Sequence, residues 1–331
     1  MKICFIDYTP FKFSYYDNEN PILRGAEKVL INLSYNLSLL ENSVYVFNNN
    51  SKNLNFENYY WRDINELKFF NKTFDVAISN GDINHLNLVK AHKKFAISYS
   101  IQTLEKFIRK KQFISFIKNK PKIIFIGNYH NQKRNVLTKI FGYDFLDLAV
   151  DDIFLKKRID LNRVNKSNYA IFTSRFDRNG EMLVDIWKNR IFPQNKNIKL
   201  LITPPESSID YSDFNIFNRK MKHQSTMIND LYDSRMMLVP GHKAELYCLA
   251  AEEAKKLCIP VVTLGIGSLK ERVVHDETGF IAKNDKEFSH YAMELFTNEI
   301  LWKKIRNNLY KIRNDNNWYN SATKFLNVLK R

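Results

Sequence analysis

The sequence predicts an α/β protein made of two Rossmann-like halves, each a parallel sheet covered by helices. Short apolar, strand-like runs alternate with helix-period segments from the first residues onward, and the alternation restarts near residue 168. A polar, basic stretch at 155–168 with little apolar periodicity separates the two series. The chain of 331 residues, 44% of them hydrophobic, is long enough for two domains of ordinary size.

In order, residues 2–7 form an apolar strand, and a polar loop runs to Gly25. Ala26, Val29, Leu30, Leu33, Leu37 and Leu40 then recur at helical spacing, which predicts a helix with one face on a core. Further strands are expected at 43–48, 74–80, 94–100 and 122–127. The second series opens with a strand at 168–175 and a helix beginning "GEMLVDIWKN". Strands follow at 198–203, 235–240 and 259–265, and 301–331 reads as two helices parted around "RNDNNW". The expected division is an N-terminal domain over 1–160, a C-terminal domain over 161–305, and a last helical segment over 306–331 that is a candidate to pack back on the first domain.

Cys4, Cys248 and Cys258 are an odd set without C-x-x-C spacing, which argues against a disulfide framework or a zinc site. The seven histidines have no metal-ligand spacing either, so no metal is expected. The opening apolar run is broken by Asp7, and no stretch offers about 18 uninterrupted apolar residues. A reduced, cytoplasmic protein, soluble or peripheral to a membrane, is expected. The net charge of +16 favours anionic partners without choosing among nucleic acid, lipid headgroups and phosphorylated ligands.

Open parallel sheets bind ligands at the carboxyl ends of their strands. Only nine glycines occur, and Gly25, Gly180, Gly241, Gly265 and Gly267 fall at such strand-to-helix junctions or their entrances. The segment 244–262, "AELYCLAAEEAKKLCIPVV", sets Glu245, Glu252 and Glu253 in an otherwise buried pattern. On one continuous helix Glu245 and Glu253 would stand about 80° apart. A better arrangement leaves Glu245 on the loop and starts the helix near Tyr247, with Glu253 in an early turn at the positive end. Glu252 is expected on a solvated face.

The same segment resembles the E-x7-E region of glycosyltransferase family 4, with Glu245 and Glu253 on its two acids. "GIGSLKERVVHDETGFIAKNDKE" resembles the downstream segment, with Glu271, Thr278 and Gly279 in register. "FTSRFDRNG" resembles the donor loop, Arg178 standing where lysine is usual, and "LRGAEKVLINLSYNL" resembles the glycine loop and first helix.

The resemblance implies a GT-B fold and a retaining, metal-independent glycosyltransferase with no cofactor, the nucleotide-sugar being a substrate. It implies Glu245 on the donor sugar, Glu253 on the ribose hydroxyls, and Arg175 and Arg178 on the diphosphate. Gly25 and the loop Gly265, Gly267, Ser268 and Leu269 would offer backbone amides. The acceptor is expected to be a glycan or a lipid-linked glycan of a cell-surface polysaccharide or lipopolysaccharide. The family's N-domain histidine is absent after the strand at 94–100, where Ser98, Tyr99 and Ser100 stand. Ser100, His242 and Glu271 are further candidates.

The segment 104–122 interleaves Lys106, Arg109, Lys110, Lys111, Lys118, Lys120 and Lys122 with Phe107, Ile108, Phe113 and Ile114 against one acid, Glu105. A basic amphipathic helix of this kind suits an anionic membrane surface. Alternatives are a sugar-nucleotide epimerase or a non-catalytic sugar-nucleotide binder of the same fold. A nucleic-acid-binding protein is the alternative of another class, but no groove-reading or base-stacking module is recognisable and no nucleic-acid partner is expected.

Overall fold

A computed structural model describes residues 1–20, 23–50, 52–101, 103–163, 167–205, 210–220 and 224–331. The chain divides into two compact units, Met1–Ala149 with Asn317–Arg331, and Val150–Asn316.

The first unit carries β1 (Lys2–Ile6), α1 (Gly25–Leu39), β2 (Ser43–Asn48), β3 (Leu54–Phe56), β4 (Tyr59–Asp63), β5 (Phe74–Asn80) and β6 (Ala91–Ile97). α2 (Leu104–Arg109), α3 (Gln112–Asn119), β7 (Lys122–Phe125), α4 (Asn128–Lys133) and β8 (Tyr143–Phe145) follow. The sheet order is β3-β4-β2-β1-β5-β6-β7-β8. Every pairing is parallel except β3 with β4, which makes an antiparallel edge. Phe47, Phe74, Phe107, Phe116 and Phe125 are fully or almost fully buried together on one face.

The second unit carries α5 (Asp152–Lys156), β9 (Tyr169–Phe172), α6 (Gly180–Ile186), β10 (Lys199–Ile202), β11 (Ile216–Asn218), α7 (Gln224–Asp233) and β12 (Met236–Leu238). α8 (Leu249–Lys256), β13 (Val261–Thr263), β14 (Gly279–Ile281), α9 (Asp285–Thr297) and α10 (Glu299–Ile312) complete it, and α11 (Trp318–Lys330) belongs to the first unit. Its sheet, β11-β10-β9-β12-β13-β14, is parallel throughout. Strands buried on both faces explain the continuous apolar runs read in the sequence.

The expected α/β class with parallel sheets and a helical end is therefore the observed one. The differences have local causes. β3, β8, β11 and β14 are three-residue strands whose pairing comes from neighbours rather than from any period of their own. β6 starts earlier and stops at Ile97, because Lys93 and Lys94 pair with Val76 and Ala77 despite their charge. The helix expected within 104–122 is broken at Lys111, which adopts φ 54 in the left-handed region. Val150 and Phe154 are buried in the second unit's core, so residues 150–160 lie there rather than with 1–149. Arg313 fastens that segment by donating to the Phe154, Leu155 and Lys157 carbonyls at 3.0–3.3 Å. α11 is tied within the first unit by Lys93 Nζ to the Lys330 carbonyl at 2.6 Å and by the Lys324–Asp147 ion pair at 2.9 Å.

All three cysteines are buried and free. No helix among the described residues is long and apolar enough to cross a membrane.

Candidate functional site

In the second sheet the strand order reverses between β9 and β12, and the crevice outside the carboxyl ends of such a pair is where open sheets bind ligands. The loop after β9 carries Arg175, Asp177, Arg178 and Asn179, and the loop after β12 carries Gly241, His242 and Glu245. Asn179 joins the two loops, donating from Nδ2 to the Gly241 carbonyl at 2.6 Å. Arg178 Nη1 lies 3.2 Å from His242 Nδ1, and the Ala244 N–H points at the same nitrogen from 3.1 Å. Two N–H groups aimed at Nδ1 make it an acceptor, so the network assigns the ring hydrogen to Nε2. His242 thus orients Arg178.

Arg175 is different. Its side chain is 65% exposed and paired with Asp177, which also lies 3.9 Å from Arg178 Nε. An exposed pair of this kind contributes about 0–1 kcal/mol, so an incoming anion exchanges it at little cost.

Glu245 is half-buried on the loop, and α8 starts at Leu249, so the loop placement of Glu245 and the helical placement of Glu253 are both observed. The Glu245 carboxylate accepts from the Cys248 N–H at 3.2 Å. Burial pushes its carboxyl above the usual range, against the pull of Arg178, the Cys248 N–H and His242. A group with a raised folded pKa contributes stability that is present below its unfolded pKa and lost as pH rises through the folded value. Glu245→Gln is therefore expected to melt above the wild type at neutral pH, the gap closing as pH falls below the ordinary carboxyl value of 4.5. Melting scans against pH check this, and equal melting temperatures at neutral pH would contradict it.

Glu253 is the fifth residue of α8 and half-buried. It lies near Arg219, a buried arginine at the end of β11 that sequence reasoning did not single out. Burial lowers the Arg219 pKa, and Asp230 and Glu253 oppose the shift. Glu252 corrects the expectation of a solvated face. It is 6% exposed and holds Lys255 at 2.9 Å and Arg272 at 3.2 Å. Its partner Arg272 is 20 residues away, invisible to helical spacing.

The third loop follows β13. Ser268 N–H donates to the Glu245 carbonyl at 3.0 Å, and Gly241 bridges Ile266 in a parallel pair. Gly267 has φ +76, and a Cβ there would lie 2.3 Å from the His242 carbonyl oxygen. Gly241 has φ +97, and its Cβ would lie 2.4 Å from the Ile266 oxygen. Only glycine lets these backbones meet. Gly265 lies in the same loop with φ +66. Ser268 is fully buried with no partner for Oγ among the described residues. Leu269 packs its side chain in the core, so only its backbone faces other uses. Glu271 pairs with Arg272 at 3.3 Å.

The first unit has its own rim. Gly25 is the first residue of α1, whose amino end is occupied by Glu27, accepting the Arg24 N–H at 3.0 Å. At the reversal between β1 and β5, Asn80 Nδ2 donates to Asp7 at 3.1 Å and Tyr99 donates to Asn80 Oδ1 at 2.8 Å. The Ser100 carbonyl accepts from Arg134 Nη1 at 3.2 Å. A cleft of about 740 Å³ along α6 is lined by Asp177, Glu181, Asp185 and Asp285 against one cation, Arg190, a balance ill suited to an anionic ligand.

Residues 216–312 match the family described as glycosyl transferases group 1. Over 175 residues the chain is 27% identical to the capsular polysaccharide biosynthesis glycosyltransferase CapM of Staphylococcus aureus, covering 47% of this chain and 46% of that protein. The match thus spans about half the length of this curated relative. The structure of Anabaena HepE in complex with UDP-glucose is similar with a TM-score of 0.71 and 12% identity, covering 100% of this chain and 99% of that one. The glycosyltransferase WaaG, involved in lipopolysaccharide biosynthesis, is similar with a TM-score of 0.69 and 10% identity, 99% of each chain being covered. The two structural likenesses run the length of the chain and show the GT-B fold.

Proposed function

We propose that this protein transfers a sugar from a nucleotide-sugar to a glycan or lipid-linked acceptor during synthesis of a cell-surface polysaccharide or lipopolysaccharide. One observation carries the proposal. At the strand-order reversal of the second sheet, a cation held by a histidine, a half-buried carboxylate and two backbone loops converge. Residues 216–312, which supply the loops after β12 and β13, match a glycosyltransferase family.

In this proposal Arg178 and Arg175 hold the diphosphate, Glu245 the donor sugar and Glu253 the ribose hydroxyls. The amides of 265–269 and of Gly25 approach phosphate or sugar. The reaction is retaining and independent of metal, as in glycosyltransferase family 4. The bond from the anomeric carbon to the diphosphate oxygen breaks as the acceptor oxygen bonds to the same carbon from the same face, and the acceptor proton passes to the departing phosphate. Cations and amides stabilise the charge that develops there.

A panel of UDP-, GDP- and ADP-sugars tests the proposal. One donor is expected to raise the melting temperature and to be slowly hydrolysed, Glu245→Ala should abolish the hydrolysis, and Arg175→Ala should weaken donor binding. Free interconversion of sugars would indicate an epimerase instead. Stabilisation by no donor, together with tight nucleic-acid binding, would sink the proposal.

We also place the protein in the cytoplasm, peripheral to an anionic membrane. Leu104, Ile108, Phe113, Ile114 and Ile117 are exposed beside the lysines of α2 and α3. Ile114, 76% exposed, is the most informative change. Ile114→Asp should weaken sedimentation with phosphatidylglycerol vesicles about tenfold while leaving donor hydrolysis in solution intact. Unchanged sedimentation would remove α3 from the interface.

A further inference from the structure

At the carboxyl ends of β6 and β7 the first unit buries a cation that has no acid. Arg134 is 5% exposed, and no ion pair involves it among the described residues. Its Nη1 donates to Ser98 Oγ and to the Ser100 carbonyl, both neutral oxygens. Its Nε has no partner among the described residues, and its guanidinium carbon lies 5.6 Å from the centroid of the Phe125 ring. Burial brings its pKa down to about 10. His130 offers no compensation. It is fully buried, and burial and Arg134 hold it neutral, with a pKa of about 3.

More cations gather at the same place. Lys106 reaches the Ile101 carbonyl at 3.4 Å, just beyond Ser100. Burial lowers its pKa most, and Lys110, Arg109 and Arg134 lower it further. A buried ion without a counter-ion costs several kcal/mol, and like charges nearby add to the cost. A clamp that only held the loop at Ser98–Ser100 would need one hydrogen-bond donor, and a neutral side chain would serve. It would not need a cation, still less three further cations around it.

We propose that Arg134 and Lys106 form a binding subsite for a phosphate-class anion on the first unit, with Arg109 and Lys110 adding positive field at its edge. A tetrahedral phosphate supplies the charge the cluster lacks and several acceptor oxygens for charge-assisted bonds. That the anion belongs to the acceptor rests on the proposed sugar transfer; the subsite itself does not. The shared chemistry is a phosphate ester, borne either by a lipid headgroup or by a soluble or lipid-linked glycan.

The test uses the full chain carrying Arg175→Ala and Arg178→Ala, which removes the donor clamp. Calorimetry with inorganic pyrophosphate is expected to find one site per chain. Adding Lys106→Ala should weaken it about tenfold or more, and Lys106→Arg should restore it. Lys106 is only half-buried, so these variants should retain the wild-type circular dichroism. No pyrophosphate site, or one unmoved by Lys106→Ala, overturns the proposal.

A second arm adds phosphatidylcholine vesicles with and without phosphatidylglycerol. Displacement of the protein from the anionic vesicles by pyrophosphate supports a lipid headgroup as the source. Undisturbed vesicle binding beside a Lys106-dependent pyrophosphate site supports a phosphorylated glycan. Pyrophosphate binding here, with no response of the wild type to any nucleotide-sugar, would leave the subsite standing and the sugar-transfer proposal fallen.

Discussion

Arg178→Ala is expected to lower the rate of donor cleavage about 10²- to 10³-fold, the usual loss when one preorganised donor to a developing negative charge is removed. The expectation comes from how the two arginines of one loop differ. Arg178 is half-buried, and its Nη1 is held 3.2 Å from His242 Nδ1, so it meets a diphosphate without reorganising. Arg175 is 65% exposed and must first leave Asp177. Arg175→Ala should therefore cost less than Arg178→Ala in the rate of the chemical step, and should act mainly through donor affinity. Arg178→Lys keeps the charge but loses the planar fork, so partial recovery is expected. His242→Ala should reproduce part of the Arg178→Ala loss by releasing the guanidinium. Single-turnover cleavage of the donor responding to the panel separates chemistry from binding. Equal losses for Arg175→Ala and Arg178→Ala would refute the claim that His242 preorganises one of them.

The same contrast bears on what the sequence made legible. Strand and helix alternation predicted both sheets, because apolar period is set by local burial and survives without knowledge of neighbours. The glycines and the two arginines also stood out, since turn chemistry and charge spacing are local. Three kinds of feature did not. Strands such as β11 and β14 exist because an adjacent strand presents its ladder, and they lack apolar runs as long as those around the equally short β12 and β13. The link from Asn179 to Gly241 spans 62 residues, and the Arg272–Glu252 pair spans 20, so no spacing rule finds them. A carboxylate read as a solvated helix residue was instead a buried ion pair. Arg134 was missed for the opposite reason. In a chain this basic, one more arginine looks ordinary until its burial and its lack of an acid are seen.

Gly267→Ala is expected to destabilise the second unit by about 2–5 kcal/mol, from two separate costs. Holding an L-residue in the left-handed region costs roughly 1–2 kcal/mol, and Gly267 sits there at φ +76. Overpacking adds typically 1–3 kcal/mol, because the new Cβ would lie 2.3 Å from the His242 carbonyl oxygen and 2.9 Å from that of Glu245. Both neighbours are backbone, so no side-chain rotation relieves the contact. Gly142→Ala isolates the first cost, since Gly142 has φ +86 but meets nothing closer than the Lys122 side chain at 3.7 Å. It should lose only about 1–2 kcal/mol. Denaturant melts of both variants check the difference. The functional consequence follows from the same contact. If the loop after β13 withdraws from His242 and Glu245, the 3.0 Å bond from Ser268 N–H to the Glu245 carbonyl breaks and the carboxylate loses its fixed place. Donor-induced stabilisation should then vanish in Gly267→Ala even at temperatures where the unit remains folded. A variant that stays as stable as the wild type, or still binds donor with unchanged affinity, would mean that the loops do not meet as closely as described.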